Sequence, residues 1–184
     1  FKGFFMLPIV KESKKELVQK KKPKRFSPDF SLSGNKVHFI SLGCPRNLVD
    51  TEVMIGLLLQ AGYEISPGLS DSDFIVINTC GFLEASRNES LDTIRTSLKE
   101  RKESAKVIAT GCMVQTHSDL IRKECPEVHY LVGSGDVPKI LRAVESEASG
   151  SDISTAKSFL EMGEVPRVVS TPKHFAYLKI AEGC

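Results

Sequence analysis

The sequence predicts an α/β domain: a mostly parallel five-stranded sheet with helices on both faces. Three observations carry that reading. Short runs such as Phe74–Asn78 (FIVIN) and Lys106–Thr110 (KVIAT) have the near-unbroken apolar character of strands buried on both sides. Stretches of helical spacing separate them, and strands that alternate with helices imply parallel crossovers. Finally, 184 residues at 41% hydrophobic and 26% charged suffice for one domain with a sizeable core plus tails, and exclude a collagen-like or wholly disordered chain.

The elements follow in order. Val37–Ser41 is a short β-prone run that ends at Gly43-Cys44-Pro45. A helix fits Asn47 to Ala61, with Asn47 suited to the N-cap, Asp50 and Glu52 to the first turn, and Val49, Val53 and Leu57 on one face. Gly62 stops it. Tyr63–Ser66 is a short second strand and Phe74–Asn78 the third. A long helix fits Phe82–Arg101, where Leu83, Leu91, Ile94 and Leu98 recur at near-helical spacing. Lys106–Thr110 is the fourth strand, and a helix capped near Ser118 runs to Glu124. Val128–Val132 is the fifth strand. Asp136 caps a last helix, with Pro138 in its first turn and Ile140, Leu141 and Val144 facing inward. The α/β domain thus spans 36–148, residues 149–174 read as a linker, and 175–184 begin something new with a strand-like Phe175–Ile180.

Charge is unevenly spread. The net value is +2, yet residues 1–30 carry nine Lys/Arg against three acids, and the rest carries 16 against 20. Residues 1–35 therefore read as a basic, solvated, disordered tail, with an electrostatic contact to RNA or a ribosome-like partner as the sharper alternative. Apolar residues 4–10 precede the lysines rather than follow them, which is the wrong order for a signal peptide. The first residue is Phe1 rather than Met, and Met6 is the expected start. No apolar run approaches the roughly 20 residues of a membrane span. Five cysteines with no CxxC pair argue for free thiols in a reducing, cytoplasmic compartment rather than a disulfide framework.

The positions of those cysteines are informative. Cys44 follows the first strand, Cys80 the third and Cys112 the fourth, each beside a glycine (Gly43, Gly81, Gly111). In an open parallel sheet all three lie on the C-terminal edge, where ligands bind. With flavodoxin-like order 2-1-3-4-5 the three strands are neighbours, about 4.8 Å apart, so sulfurs 36 and 32 residues apart in sequence could reach one small metal cluster. Three thiols without a close pair make a poor structural zinc site, whereas an iron–sulfur cluster accepts thiolates from distant loops. A three-cysteine cluster leaves one iron open. Cys125 falls on the opposite edge and reads as a buried bystander. His38 reads as a satisfied core histidine, and His117 and His129 have no partner at ligand spacing.

At these residues the chain resembles the N-terminal domain of the methylthiotransferases, a branch of the radical S-adenosylmethionine (SAM) enzymes. The segments that carry the resemblance are SLGCPRNLVDTEVMIGLL (41–58), VINTCGFLEASRNESLDTI (76–94), VIATGCMVQ (107–115) and the ending AYLKIAEGC (176–184). Cys44-Pro45-Arg46-Asn47 and Cys80-Gly81-Phe82 resemble the branch that modifies an aspartate of small-subunit ribosomal protein twelve. The transfer-RNA-modifying branch is the alternative within the family. Gln115-Thr116-His117-Ser118 departs from the pattern, since relatives commonly carry a basic residue after the glutamine.

The resemblance implies that Cys44, Cys80 and Cys112 hold an auxiliary 4Fe-4S cluster whose open iron presents the sulfur. It also implies that Cys184 is the first ligand of the CxxxCxxC motif that binds a second, SAM-cleaving 4Fe-4S cluster. The radical-SAM barrel would follow the linker, so this chain alone is expected to be inactive and none of its residues takes a catalytic role. The implied partners are a small-subunit ribosomal protein or the assembled subunit, a reductant and a sulfur donor. Asn47, Asp50, Asn78 and Thr79 read either as helix-start and strand-end caps or as supports around the cluster, and Glu84 and Glu89 as solvated helix-face charges. The rival of another class is a nucleotide-binding or cluster-free α/β module, although no GxGxxG or GxxxxGK[ST] follows any strand.

Overall fold

The computed structural model of the protein describes residues 35–154 and 165–181. A six-stranded sheet forms the centre: β1 (Lys36–Ser41), β2 (Glu64–Ile65), β3 (Phe74–Thr79), β4 (Lys106–Gly111), β5 (Tyr130–Gly133) and β6 (Gly150–Asp152), in the order β2-β1-β3-β4-β5-β6. Every neighbouring pair is parallel. The expected α/β architecture and 2-1-3-4-5 order are present, with one strand added. Gly150–Asp152 belongs to the stretch read as linker, and a Gly-Ser-Asp run has little β propensity of its own. Tertiary bonds hold it: Gly150 N–H donates to His129 O at 3.1 Å, and the Tyr130 hydroxyl to Asp152 at 2.9 Å.

Side chains of the central strands alternate between two cores. Val76, Ile108 and Val132 face α1 (Pro45–Gln60) and α4 (Ile140–Glu145), together with Val53, Met54, Leu58, Ile140 and Val144. Ile75, Ile77, Val107, Ala109 and Leu131 face α2 (Glu84–Glu100) and α3 (Cys112–Glu124), together with Leu91, Ile94, Met113 and Ile121. All six residues of β3 are buried, as a strand covered on both sides must be.

Five local expectations are corrected. α1 begins at Pro45, two residues before the expected cap, because proline suits the first helical turn; Cys44 is the capping position and Asn47 lies inside the helix. α2 begins at Glu84 rather than Phe82. α3 begins at Cys112 and breaks at His117, whose backbone (φ −139°, ψ 37°) is non-helical, so Ser118 restarts a helix rather than opening the first one. Asp136 makes no side-chain cap for the 3-10 turn Val137–Lys139 that precedes α4; its carboxylate instead accepts from Ser154 N and Oγ, both at 2.7 Å. Residues 175–180, expected to be strand-like, form no strand. The basic tail up to residue 34, residues 155–164 of the linker, and Cys184 lie outside the described residues. Among the described residues no helix is long and apolar enough to cross a membrane.

Candidate metal centre

Sheet register fixes where the cysteines emerge. Thr79 of β3 pairs with Gly111 of β4, and Ser41 of β1 pairs with Asn78. Cys80 and Cys112 are therefore the first residues beyond a paired position on adjacent strands, and Cys44 follows β1 by three. The chain moves outward from β1 to β2 in one direction and from β3 to β4 in the other, which makes the gap between β1 and β3 the switch point of the sheet, the usual ligand crevice of such folds. The β1 and β3 turns touch there. A Cβ added to Gly43 would lie 2.8 Å from Cys80 Cβ and 3.1 Å from its Sγ, so any side chain at 43 would displace the Cys80 thiol.

Cys112 joins the same group. Arg46, in the first turn of α1, donates a hydrogen bond to Cys112 Sγ at 2.8 Å, and the Cys112 thiol contacts Asn47 Oδ1 at 3.6 Å. Asn47 is buried and ties the turns together, its Nδ2 donating to Leu42 O (2.9 Å) and Thr79 O (3.1 Å). Asn78 donates to Asn47 O (2.7 Å) and Thr51 Oγ1 (3.0 Å), and Thr79 Oγ1 to Thr110 O (2.6 Å). Asn78 and Thr79 therefore brace the first turn of α1 and the end of β4. Ser90 of α2 grips the Cys80 peptide from both sides, accepting from its N–H and donating to its carbonyl, each at 3.1 Å.

Three thiols on separate turns are the soft donors that an iron–sulfur cluster takes. Among the described residues no three His, Cys, Asp or Glu side chains close around one metal ion. A multinuclear cluster takes each thiolate on a different iron and asks for wider placement. Cys44 is exposed, and Cys80 and Cys112 are partly exposed, so all three remain reachable. A guanidinium against a sulfur is the electropositive surrounding in which thiolates serve as ligands. The N-termini of α1 and α3, at Pro45 and Cys112, direct the positive ends of two helix dipoles to the same edge.

Comparison with known proteins gives the family. Residues 36–133 match the model of "Uncharacterized protein family UPF0004", a span that contains all three turns. The chain belongs to this family. It is 65% identical over 158 residues to the "Ribosomal protein uS12 methylthiotransferase RimO" of Protochlamydia amoebophila, covering 86% of this chain and 33% of the relative. It is 60% identical to the protein of that name from Chlamydia abortus, over 83% of this chain and 33% of the relative. The protein of the same name from Caldicellulosiruptor saccharolyticus is 42% identical over 81% of this chain and 35% of the relative. The chain thus spans about a third of the length of these curated relatives.

The remaining singled-out residues behave simply. Cys125 is buried where α3 ends, on the opposite edge of the sheet, and burial pushes its thiol pKa up. His38 is partly buried, its Nδ1 3.0 Å from Ser66 O; His117 Nδ1 contacts Thr116 Oγ1 at 2.7 Å, and His129 Nε2 contacts Ser146 O at 2.8 Å. Glu84 and Glu89 are exposed.

Sequence reasoning missed the roles of Asp50 and Glu52. Both are buried in α1 and meet the returning chain at 165–181. Lys179 Nζ lies 2.7 Å from Asp50 Oδ1, with side-chain exposures of only 3% and 4%. Glu52 accepts from Ser170 N (2.6 Å), Ser170 Oγ (2.7 Å) and Arg167 Nε (2.7 Å). Burial alone would raise the Glu52 pKa; the Ser170 and Arg167 donors outweigh it and hold the carboxyl below its ordinary 4.5. The available signal was two acids on a helix otherwise lined by Val49, Val53 and Met54.

Proposed function

We propose that this chain is the sulfur-presenting part of an enzyme that adds a methylthio group to an aspartate of ribosomal protein uS12, the activity for which its relatives are named. The observation that carries the reading is the meeting of three cysteine turns, far apart in sequence, at the switch point between β1 and β3. In this reading Cys44, Cys80 and Cys112 each ligate one iron of an auxiliary 4Fe-4S cluster, and Cys184 is the first ligand of a second cluster. With SAM, the clusters supply the radical and the sulfur when bound, a chemistry needed because an unactivated C–H bond offers side chains no acid–base route.

The chain's own residues do the positioning. Asn47 holds the Cys44 and Cys80 turns together through Leu42 O and Thr79 O. Ser90 fixes the Cys80 peptide, and Arg46 balances negative charge at Cys112. The Arg46-Asn47 pair after Cys44 and the uS12 names of the relatives favour a ribosomal-protein substrate over transfer RNA. The remaining partners of this reading are a reductant, a sulfur donor, and ribosomal RNA met by the basic residues 1–30, in the cytoplasm.

Anaerobic reconstitution with iron and sulfide tests the reading. The 184-residue chain should take up about four irons, as a 4Fe-4S cluster requires, with the matching EPR signal after reduction. Cys44→Ala, Cys80→Ala or Cys112→Ala should abolish uptake, and Cys125→Ala should preserve it. Zinc binding, or no metal at all, would sink the reading.

A further inference from the structure

The segment 165–181 lies along α1 as a strap. Its first part follows the helix closely enough that a Cβ on Gly56 would lie 2.6 Å from Pro166 O. Val168 N–H donates to Glu52 O at 3.1 Å, and Glu52 then takes Arg167 and Ser170 as described. Eleven residues beyond Val168, the chain is fastened again where buried Lys179 meets buried Asp50. Between the two fastenings, Tyr177 reaches the Cys44 turn. It forms one wall of a cavity of about 270 Å³ whose other walls are Ser41, Leu42, Gly43, Cys44, Pro45 and Leu48. Leu178 and Ile180, on either side of Lys179, are 81% exposed, so apolar burial does not hold this end of the strap. The ion pair does.

We infer that Asp50, Glu52, Arg167 and Lys179 are positioning residues that latch the strap to α1 and thereby set Tyr177 as the wall of the Cys44 cavity. The significance for sulfur transfer rests on the reading of Cys44 as a cluster ligand; the latch itself does not. Breaking one partner of a buried pair leaves a charge that must open to water, so the strap rather than the sheet should yield.

Hydrogen exchange on the 184-residue chain, read by peptide, tests the latch without any cluster. In Lys179→Met, exchange at the hydrogen-bonded strap amides of Ser170 and Phe175 should rise about tenfold or more, with β3 and β4 unchanged. Lys179→Arg should retain most of the protection. Alkylation of Cys44 by iodoacetamide should run faster in Lys179→Met. It should also run faster in Tyr177→Ala, which removes the wall and leaves strap exchange as in the parent chain. The inference is overturned if exchange at the strap does not change, or if it rises while Cys44 alkylation stays the same in both variants. Should Lys179→Met fail to fold, Tyr177→Ala and Arg167→Ala decide the matter: Arg167→Ala must loosen the strap around Ser170. Failure of the parent chain to take up iron would remove the cluster reading and leave these outcomes as they stand.

Discussion

The two edges of the sheet are built from similar residues to opposite ends. On the edge where strands begin, charges pair at the surface: Lys102 meets Asp73 at 2.6 Å and Lys106 meets Glu147 at 3.5 Å, while Cys125 is sealed in the core. On the edge where strands end, three cysteines stay accessible, and the buried polar groups below them spend their hydrogen bonds on holding turns together. The difference teaches that a cysteine's chemistry here follows from the end of the strand it occupies. Cys112 opens α3 and Cys125 follows its last residue, yet only Cys112 is partly exposed.

Breaking the cysteine edge should cost most at Gly111. Its φ is +97°, and an added Cβ would collide with Asn78 Oδ1 and lie 2.6 Å from Thr79 O. Strain and overpacking together predict a loss of about 3–5 kcal/mol for Gly111→Ala, measured by urea unfolding. Gly62, at φ +88° before β2, has nothing within 4 Å of an added Cβ. Gly62→Ala should lose only the backbone term, about 1–2 kcal/mol. If the two cost the same, crowding at the cysteine edge is not what Gly111 relieves.

Asn47→Ala comes next. It removes two buried donor bonds and strands the carbonyls of Leu42 and Thr79, for a loss of about 2–4 kcal/mol by the same measurement. Acid should act more weakly and locally. Glu52 is held below its ordinary pKa, so its stabilisation of the strap is present above about pH 4.5 and disappears as pH falls through the lowered value. Strap exchange corrected for intrinsic rates should stay flat from pH 7 to about 5 and rise below that, and Glu52→Gln should remove the rise. The smallest effect belongs to the strand-start edge. Lys102→Ala breaks a partly exposed pair and should cost under about 1 kcal/mol, less again in high salt.

Much of this architecture was legible in the chain. FIVIN and KVIAT are apolar enough to name two central strands, and glycine beside each of three strand-end cysteines marked the edge before any coordinate did. Legibility failed where an element depends on a distant partner. β6 has no pattern of its own and exists because Tyr130 and His129 hold it. Asn47 has the chemistry of a cap but is spent on two turns reached only after folding. Asp50 and Glu52 have the look of first-turn acids, and the cations that bury them arrive more than a hundred residues later.

The alternation of strand and helix, the edge of the sheet on which the thiols emerge and the motifs shared with the family are written in the sequence, because apolar period and turn residues are local properties. Which turns touch, which buried polar group serves which carbonyl, and where residues 165–181 run are set by the folded chain. Those depend on pairing between residues far apart in sequence, where a hydrogen bond or a buried ion pair has no periodic signature and is worth something only once the intervening chain has folded.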